Sequence, residues 1–181
     1  MIITIILSVL LLIAIFKKGI PTLNGHWNTL LDEFQYSTKD FYELLTKELQ
    51  SHGINKISIT NKSLSTGNAL SKKRLYLRVS WKSYTYDCCC SPFGNGTFIS
   101  WWMFSKKTGF ELLISKIPFV GNYLAQAFFP KTYYSVDTTS MFMTYAQSSV
   151  LKVIDDITKE KGVRPLSETD KKPILRDVFK R

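Results

Sequence analysis

The first sixteen residues, from Met1 to Phe16, are almost continuously apolar, and only Thr4 and Ser8 among them are weakly polar. Water is a poor environment for such a run of Ile and Leu, so lipid or protein has to cover it. As a helix the run would span about 24 Å, slightly less than the roughly 30 Å hydrocarbon core of a bilayer. Lys17 and Lys18 can extend that reach by snorkelling. We therefore predict a transmembrane anchor over residues 1–18.

Two alternatives remain for this segment, a cleaved secretory signal and a buried core helix. A secretory signal needs a basic residue before the apolar run and small residues before the cleavage site, and the sequence has neither. Lys17 and Lys18 both follow the run, so the excess of positive charge places the amino terminus outside and residues 17–181 in the cytoplasm. The prediction is a single-pass membrane protein in this orientation.

The rest of the 181-residue chain is short enough for one domain, because single cores stop growing at roughly 250 residues. Its net charge of +10 favours an anionic partner such as acidic phospholipid, nucleic acid or an acidic protein. The three cysteines are adjacent, at positions 88 to 90, and not spread along the chain as in a disulfide framework. This pattern indicates a reducing compartment.

Helical spacing of apolar residues is clearest in two segments. The first runs from Ser37 or Thr38 to His52, where Gly53 provides a left-handed stop. The second is a long helix from about residue 138 to 161, with Asp137 as its cap. Two shorter helices are predicted over residues 110–117 and 119–129, separated by Pro118.

Alternation of apolar and polar residues predicts the strands. A short strand is expected within residues 54–59, a long half-buried strand over 74–86 and a more buried strand over 97–104. The Gly- and Pro-containing loop 91–96 would join the last two as a long hairpin. We predict an α+β fold in which a small antiparallel sheet of about three strands is packed by helices, with the long helix near the carboxyl end.

These elements divide the chain into four parts. Residues 1–18 are the predicted anchor, 19–35 a linker and the start of the domain, 36–162 a cytoplasmic α+β domain, and 163–181 a basic, mostly extended tail. Pro21 and Gly25 support the linker, because each disfavours regular structure.

The apolar segment 112–129 has three interpretations: core helices, a hairpin lying on a membrane surface, and an exposed patch for a protein partner. Several lysines could hold this region against acidic lipid. They are Lys17, Lys18, Lys106, Lys107 and Lys116.

The cysteine run has little potential for catalysis or metal binding. On a strand, Cys88 and Cys90 face one way and Cys89 the other, so the three thiols cannot converge on one ion. We interpret them as small apolar residues, with acylation or redox chemistry as the alternative. His52 is the only base that could be nominated for a Cys-His pair. We predict no catalytic residue, metal or cofactor, and identify no small-molecule ligand.

A nucleic-acid surface is a further hypothesis. Tyr76, Arg78, Lys82 and Tyr84 interleave aromatic and basic side chains that could stack bases and neutralise phosphates. Strands favour Tyr in any case, and basic residues commonly guard exposed strands, so nucleic acid is the less favoured partner.

The leading prediction is a membrane-anchored accessory or adaptor protein that is not an enzyme. Residues 1–18 would contact lipid, and the cytoplasmic domain would bind a protein partner. The first alternative is a membrane-associated enzyme or lipid-binding domain that uses the aromatic hairpin and residues 112–129. The second alternative is nucleic-acid binding.

Overall fold

The computed structural model describes residues 21–65, 73–107, 109–115 and 117–176. The predicted anchor over residues 1–18, and with it Lys17 and Lys18, lies outside the described residues, as does Lys116. Among the residues that are described, no helix combines the length and the apolarity that crossing a membrane requires. The predictions of a single-pass membrane protein, of its membrane localisation and of a membrane-anchored adaptor are therefore corrected: the structure gives them no support.

The described residues form six strands and four helices. In chain order they are β1 (Pro21–Leu31), α1 (Thr38–Ser51), β2 (Ser58–Leu64), β3 (Arg74–Trp81), β4 (Tyr84–Phe93), β5 (Gly96–Lys106), α2 (Gly109–Ser115), α3 (Gly121–Phe128), α4 (Tyr133–Glu160) and β6 (Ile174–Leu175). The strands make one antiparallel sheet in the order β2-β3-β4-β5-β1-β6. Helices and an antiparallel sheet are both present, but the predicted number of about three strands is wrong.

The largest error concerns β1, which occupies most of the predicted linker. Pro21 is tolerated because it is the first residue of the strand. Gly25 lies where the β1–β5 register shifts, next to Asn24. A Cβ atom at Gly25 would come within 3.1 Å of Met143 Sδ and 3.3 Å of the Ile174 carbonyl oxygen. Glycine is therefore needed here for close packing, and it does not end the strand.

The predicted strand over 74–86 is in fact two strands joined by a tight turn. Lys82 has a φ of 52°, a left-handed conformation that non-glycine residues seldom adopt. Trp81 pairs with Tyr84 across this turn. Neither turn residue, Lys82 or Ser83, is Gly, Asn, Asp or Pro, and Ser83 alone is a weak signal of a reversal.

The two long helices are confirmed. The Ser37 hydroxyl accepts a hydrogen bond from the Asp40 amide and caps α1, which buries Phe41, Leu45 and Leu49. Helix α4 begins at Tyr133, before the predicted start, because Thr132 and Ser135 form a reciprocal capping box and Asp137 is not the cap.

Helices α1 and α4 cover one face of the sheet and form the core with it. Trp101, Tyr86, Phe41 and Phe142 are the largest of its fully buried side chains. A side-chain hydroxyl also connects the two helices: Tyr145 of α4 donates to the Leu49 carbonyl oxygen of α1 at 2.6 Å.

Helices α2 and α3 lie at the surface. None of the α2 residues is buried, and Phe119, Tyr123 and Phe128 expose 106, 76 and 66% of their surface. The interpretation of residues 112–129 as core helices is therefore wrong.

Candidate functional site

The sheet has a second face, opposite α1 and α4, which we call the open face. Alternation along each strand places the core residues on one side and a different set of residues on the other. The cross-strand register aligns this second set across β3, β4, β5 and β1. It comprises His26, Asn28, Leu30, Tyr76, Arg78, Asp87, Cys89, Phe93, Phe98, Ser100, Trp102 and Phe104.

Trp102 is at the centre of the aromatic half of the open face. It is 37% exposed, whereas its neighbour Trp101 is completely buried on the core side. Trp102 pairs with His26 across the β5–β1 ladder, and the two rings stack with centroids 4.9 Å apart and planes 11° apart. The stack fixes the orientation of the indole ring and leaves part of its surface accessible.

An ion pair lies on the other side of Trp102. Arg78 donates two hydrogen bonds to Asp87, from Nε to Oδ1 and from Nη2 to Oδ2, both at 2.7 Å. Asp87 is only 4% exposed, so the guanidinium is the partner that compensates its charge. Hydrogen bonding to Asp87 raises the pKa of Arg78 above its ordinary value. Arg78 is thus already engaged within the sheet.

A shallow apolar hollow of about 360 Å³ lies at the end of the open face. Leu30, Pro92, Phe93 and Phe98 line it, and Arg74 lies beside them. Leu30 is 47% exposed and Phe93 is 67% exposed. Large apolar side chains gathered around one concave surface are typical of a contact site for another molecule.

The structure separates the four residues of the predicted nucleic-acid surface. Tyr76 and Arg78 are on the open face. Lys82 is in the β3–β4 turn, with its Nζ 4.3 Å from the ring centroid of Trp81. Tyr84 is buried on the core side, where its hydroxyl accepts a hydrogen bond from Thr139 at 3.1 Å. The turn at Lys82 reverses the chain, so a pattern counted along one strand does not persist beyond it.

The three cysteines are buried and unpaired within β4, with Cys88 and Cys90 on the core side. Burial raises the pKa of all three thiols, to about 12 for Cys90. They are therefore protonated at neutral pH, a state in which a thiol is a poor nucleophile. Within the described ranges no three His, Cys, Asp or Glu side chains are grouped so as to hold a metal ion. Acylation or redox chemistry at this run stays a prediction.

The other predicted site residues lie elsewhere. His52 ends α1, where its Nε2 is 3.2 Å from Glu48 Oε1 and its ring meets Tyr145 edge-on. The contacts of His52 are therefore with the helices and not with a cysteine. Lys106 and Lys107 are exposed at the end of β5, and Lys107 pairs with Glu111 at 3.4 Å.

Sequence reasoning missed His26, Leu30, Phe93, Phe98 and Trp102 as site residues. Two of them lie on β1, which was assigned to a linker. The alternation of His26, Asn28 and Leu30 with Trp27 and Leu31 was the available signal.

In comparisons with known proteins, no family model, curated protein or solved structure matches this chain. Its function therefore has to be inferred from the chemistry of its own surface.

Proposed function

We propose that the domain is a protein-binding module whose open face docks an acidic segment of a partner protein. The observation that carries the proposal is the exposure of large apolar side chains on this face, Leu30 and Phe93 at the hollow and Trp102 farther along β5. Exposed apolar side chains around a concave surface commonly mark a protein-binding site.

The charges of the open face favour a partner with carboxylates. Arg74 borders the apolar hollow, and Lys62 is exposed on the neighbouring edge strand β2, opposite Tyr76. Neither forms an ion pair with a carboxylate in the described part of the chain. An apolar side chain of the partner would occupy the hollow while a nearby Asp or Glu meets Arg74. The net charge of +10 steers an acidic partner towards the domain.

A protein segment suits this face better than a nucleic acid. Binding of nucleic acid is dominated by many phosphate contacts. On this face Arg78 is neutralised by Asp87, which leaves mainly Lys62 and Arg74 for such contacts. One ring face of Trp102 is already occupied by His26, and the hollow is lined by Leu, Pro and Phe side chains. These features recognise an apolar side chain more readily than a series of stacked bases.

The test uses the full chain and acidic peptides selected from a displayed library in which one Leu or Phe is flanked by Asp and Glu. Fluorescence anisotropy then measures the affinity of the selected peptides. We expect Trp102→Ala and Phe98→Ala each to weaken binding by more than about tenfold, since central aromatic residues dominate such interfaces. Replacing the acidic residues of the peptide with Lys should abolish binding.

Phe128→Ala is the matched control, because Phe128 is an exposed aromatic residue on α3 that does not line the hollow. It should leave the affinity unchanged. Equal losses for Phe128→Ala and Trp102→Ala would rule out the open face as the site. Salt-sensitive binding of a single-stranded oligonucleotide that Trp102→Ala abolishes, with no peptide selected, would replace the proposal with nucleic-acid recognition.

A further inference from the structure

A second concave site, separate from the open face, lies where β1 begins and β5 ends, beside the start of α4. It is a pocket of about 350 Å³ whose lining includes Thr22 and Asn24 of β1, Ser105 of β5, and Ser135 and Thr139 of α4. This volume is at the lower end of the range for small-molecule sites. We call it the basic pocket.

The charge of the basic pocket is unbalanced. Four cationic side chains line it, Lys106, Lys107, Lys131 and Arg176, against the single carboxylate of Glu111. Lys107 pairs with Glu111 at 3.4 Å, and the lining as a whole has more cationic than anionic side chains. Charges of one sign around a concavity focus the electrostatic potential and concentrate an oppositely charged ligand there.

Polar side chains and the amino end of α4 complete the lining. Asn24 Oδ1 accepts a hydrogen bond from Ser105 Oγ at 3.3 Å. Asn24 Nδ2 is buried and has no hydrogen-bond partner among the described residues. The amino end of α4 contributes further positive potential, because the helix dipole is positive at that end.

We propose that the basic pocket binds a ligand bearing a phosphate monoester group. Arg176 presents a planar guanidinium, which suits two oxygens of one phosphate. Lys106 supplies a compact second charge on the β5 side. Arg176 and Lys106 have no ion-pair partner within the described ranges, so their charges are available to the ligand. The pocket does not include any residue of the open face, so this inference is independent of the proposed protein docking.

The test measures heat on titrating the full chain with inorganic phosphate and with glycerol 3-phosphate, and measures binding to vesicles that contain phosphatidic acid. Lys106→Gln and Arg176→Gln should each weaken phosphate binding by at least about tenfold, since each removes a charge-assisted hydrogen bond. Binding should be tighter at pH 7.5 than at pH 5.5, because the second phosphate proton dissociates near pH 6.

Lys47→Gln is the control, because it removes the same charge from an exposed position on α1. It should change the affinity by less than about twofold, through long-range electrostatics alone. Loss of binding to soluble phosphates and to vesicles in the same two variants would identify a lipid headgroup as the source of the phosphate. Loss with the soluble ligands alone would identify a soluble phosphate ester. Absence of binding, or equal effects of all three substitutions, would overturn the proposal.

Discussion

Trp101 and Trp102 are neighbours in β5, yet they belong to different environments. Trp101 is fully buried between the sheet and the helices, whereas Trp102 is 37% exposed and rests against His26. The same contrast extends across the sheet, because one face supports α1 and α4 while the other has exposed aromatic and basic side chains. A single two-residue alternation thus separates the packed core from the face that we propose binds a partner.

Substituting the two tryptophans separately is the most direct test of whether the two faces of the sheet differ in their contribution to stability. Trp101→Ala should lower the free energy of unfolding by about 3–5 kcal/mol, because it leaves a large cavity in a packed core. Trp102→Ala should cost less than about 1.5 kcal/mol, since its ring is already partly in water. Urea unfolding followed by circular dichroism measures both. Similar losses for the two variants would show that the open face also contributes to the core.

Breaking the ion pair on the open face should cause the next largest loss of unfolding free energy. Arg78→Ala removes both hydrogen bonds from the buried Asp87 carboxylate, and should cost about 2 kcal/mol of unfolding free energy. Lys62→Ala, at an exposed position on β2, should stay within about 0.5 kcal/mol. In the double variant Arg78→Met/Asp87→Leu, we expect stability to return towards that of the original chain. No recovery in the double variant would contradict the view that the unpaired carboxylate causes the loss.

Two tyrosine hydroxyls allow a smaller comparison between the faces. On the core side, Tyr42 donates to the Leu75 carbonyl oxygen at 2.8 Å and accepts from the Cys90 amide at 3.1 Å. Tyr42→Phe leaves both backbone groups without this partner and should cost about 1 kcal/mol. Tyr76→Phe, on the open face, should be close to neutral because water replaces its hydroxyl contacts. Thermal unfolding of the two variants measures both losses of stability. A larger loss for Tyr76→Phe would show that the hydroxyl on the open face, and not the one on the core side, contributes more to stability.

The smallest expected effect is on the pH dependence of stability, and it involves Glu48 on α1. Glu48 accepts hydrogen bonds from Lys152 and His52, and these lower its pKa in the folded state. A carboxyl group with a lowered folded pKa contributes stability above its unfolded pKa, near 4.3, and loses it as pH falls through the folded pKa. In Glu48→Gln, the free energy of unfolding should therefore decrease less steeply as the pH falls below about 5. An unchanged slope in that variant would show that other carboxyl groups determine acid sensitivity.

Short-range patterns predicted the helices better than the sheet. The apolar spacing and caps of α1 lie within one continuous segment, so sequence reasoning located it nearly residue by residue. Strand β1 depends instead on pairing with β5, in which Trp27 lies opposite Trp101. The partner of β1 is too distant in the chain to be predicted from local sequence, and Pro21 and Gly25 pointed towards a linker despite the alternation over residues 26–31.

The candidate site was predictable only in part, for the same reason. Tyr76 and Arg78 were assigned correctly to one surface of a strand. The partner of Arg78 could not be deduced, because Asp87 reaches it only through the turn at Lys82. The hollow combines Leu30 from β1 with Phe93 and Phe98 from the β4–β5 hairpin, so it exists only after all three strands have paired.

The position of β1 in the sheet also has a consequence for how the protein folds. β1 lies between β5 and the two-residue strand β6, where the Arg176 amide donates to the Asn24 carbonyl oxygen at 3.0 Å. During synthesis β1 therefore emerges long before either neighbour, while the β2–β5 meander can already pair between adjacent segments. Pairing of such distant segments slows folding. We expect closure of β1 onto β5 to be a late step, and until then the nascent chain would present an unpaired strand to chaperones.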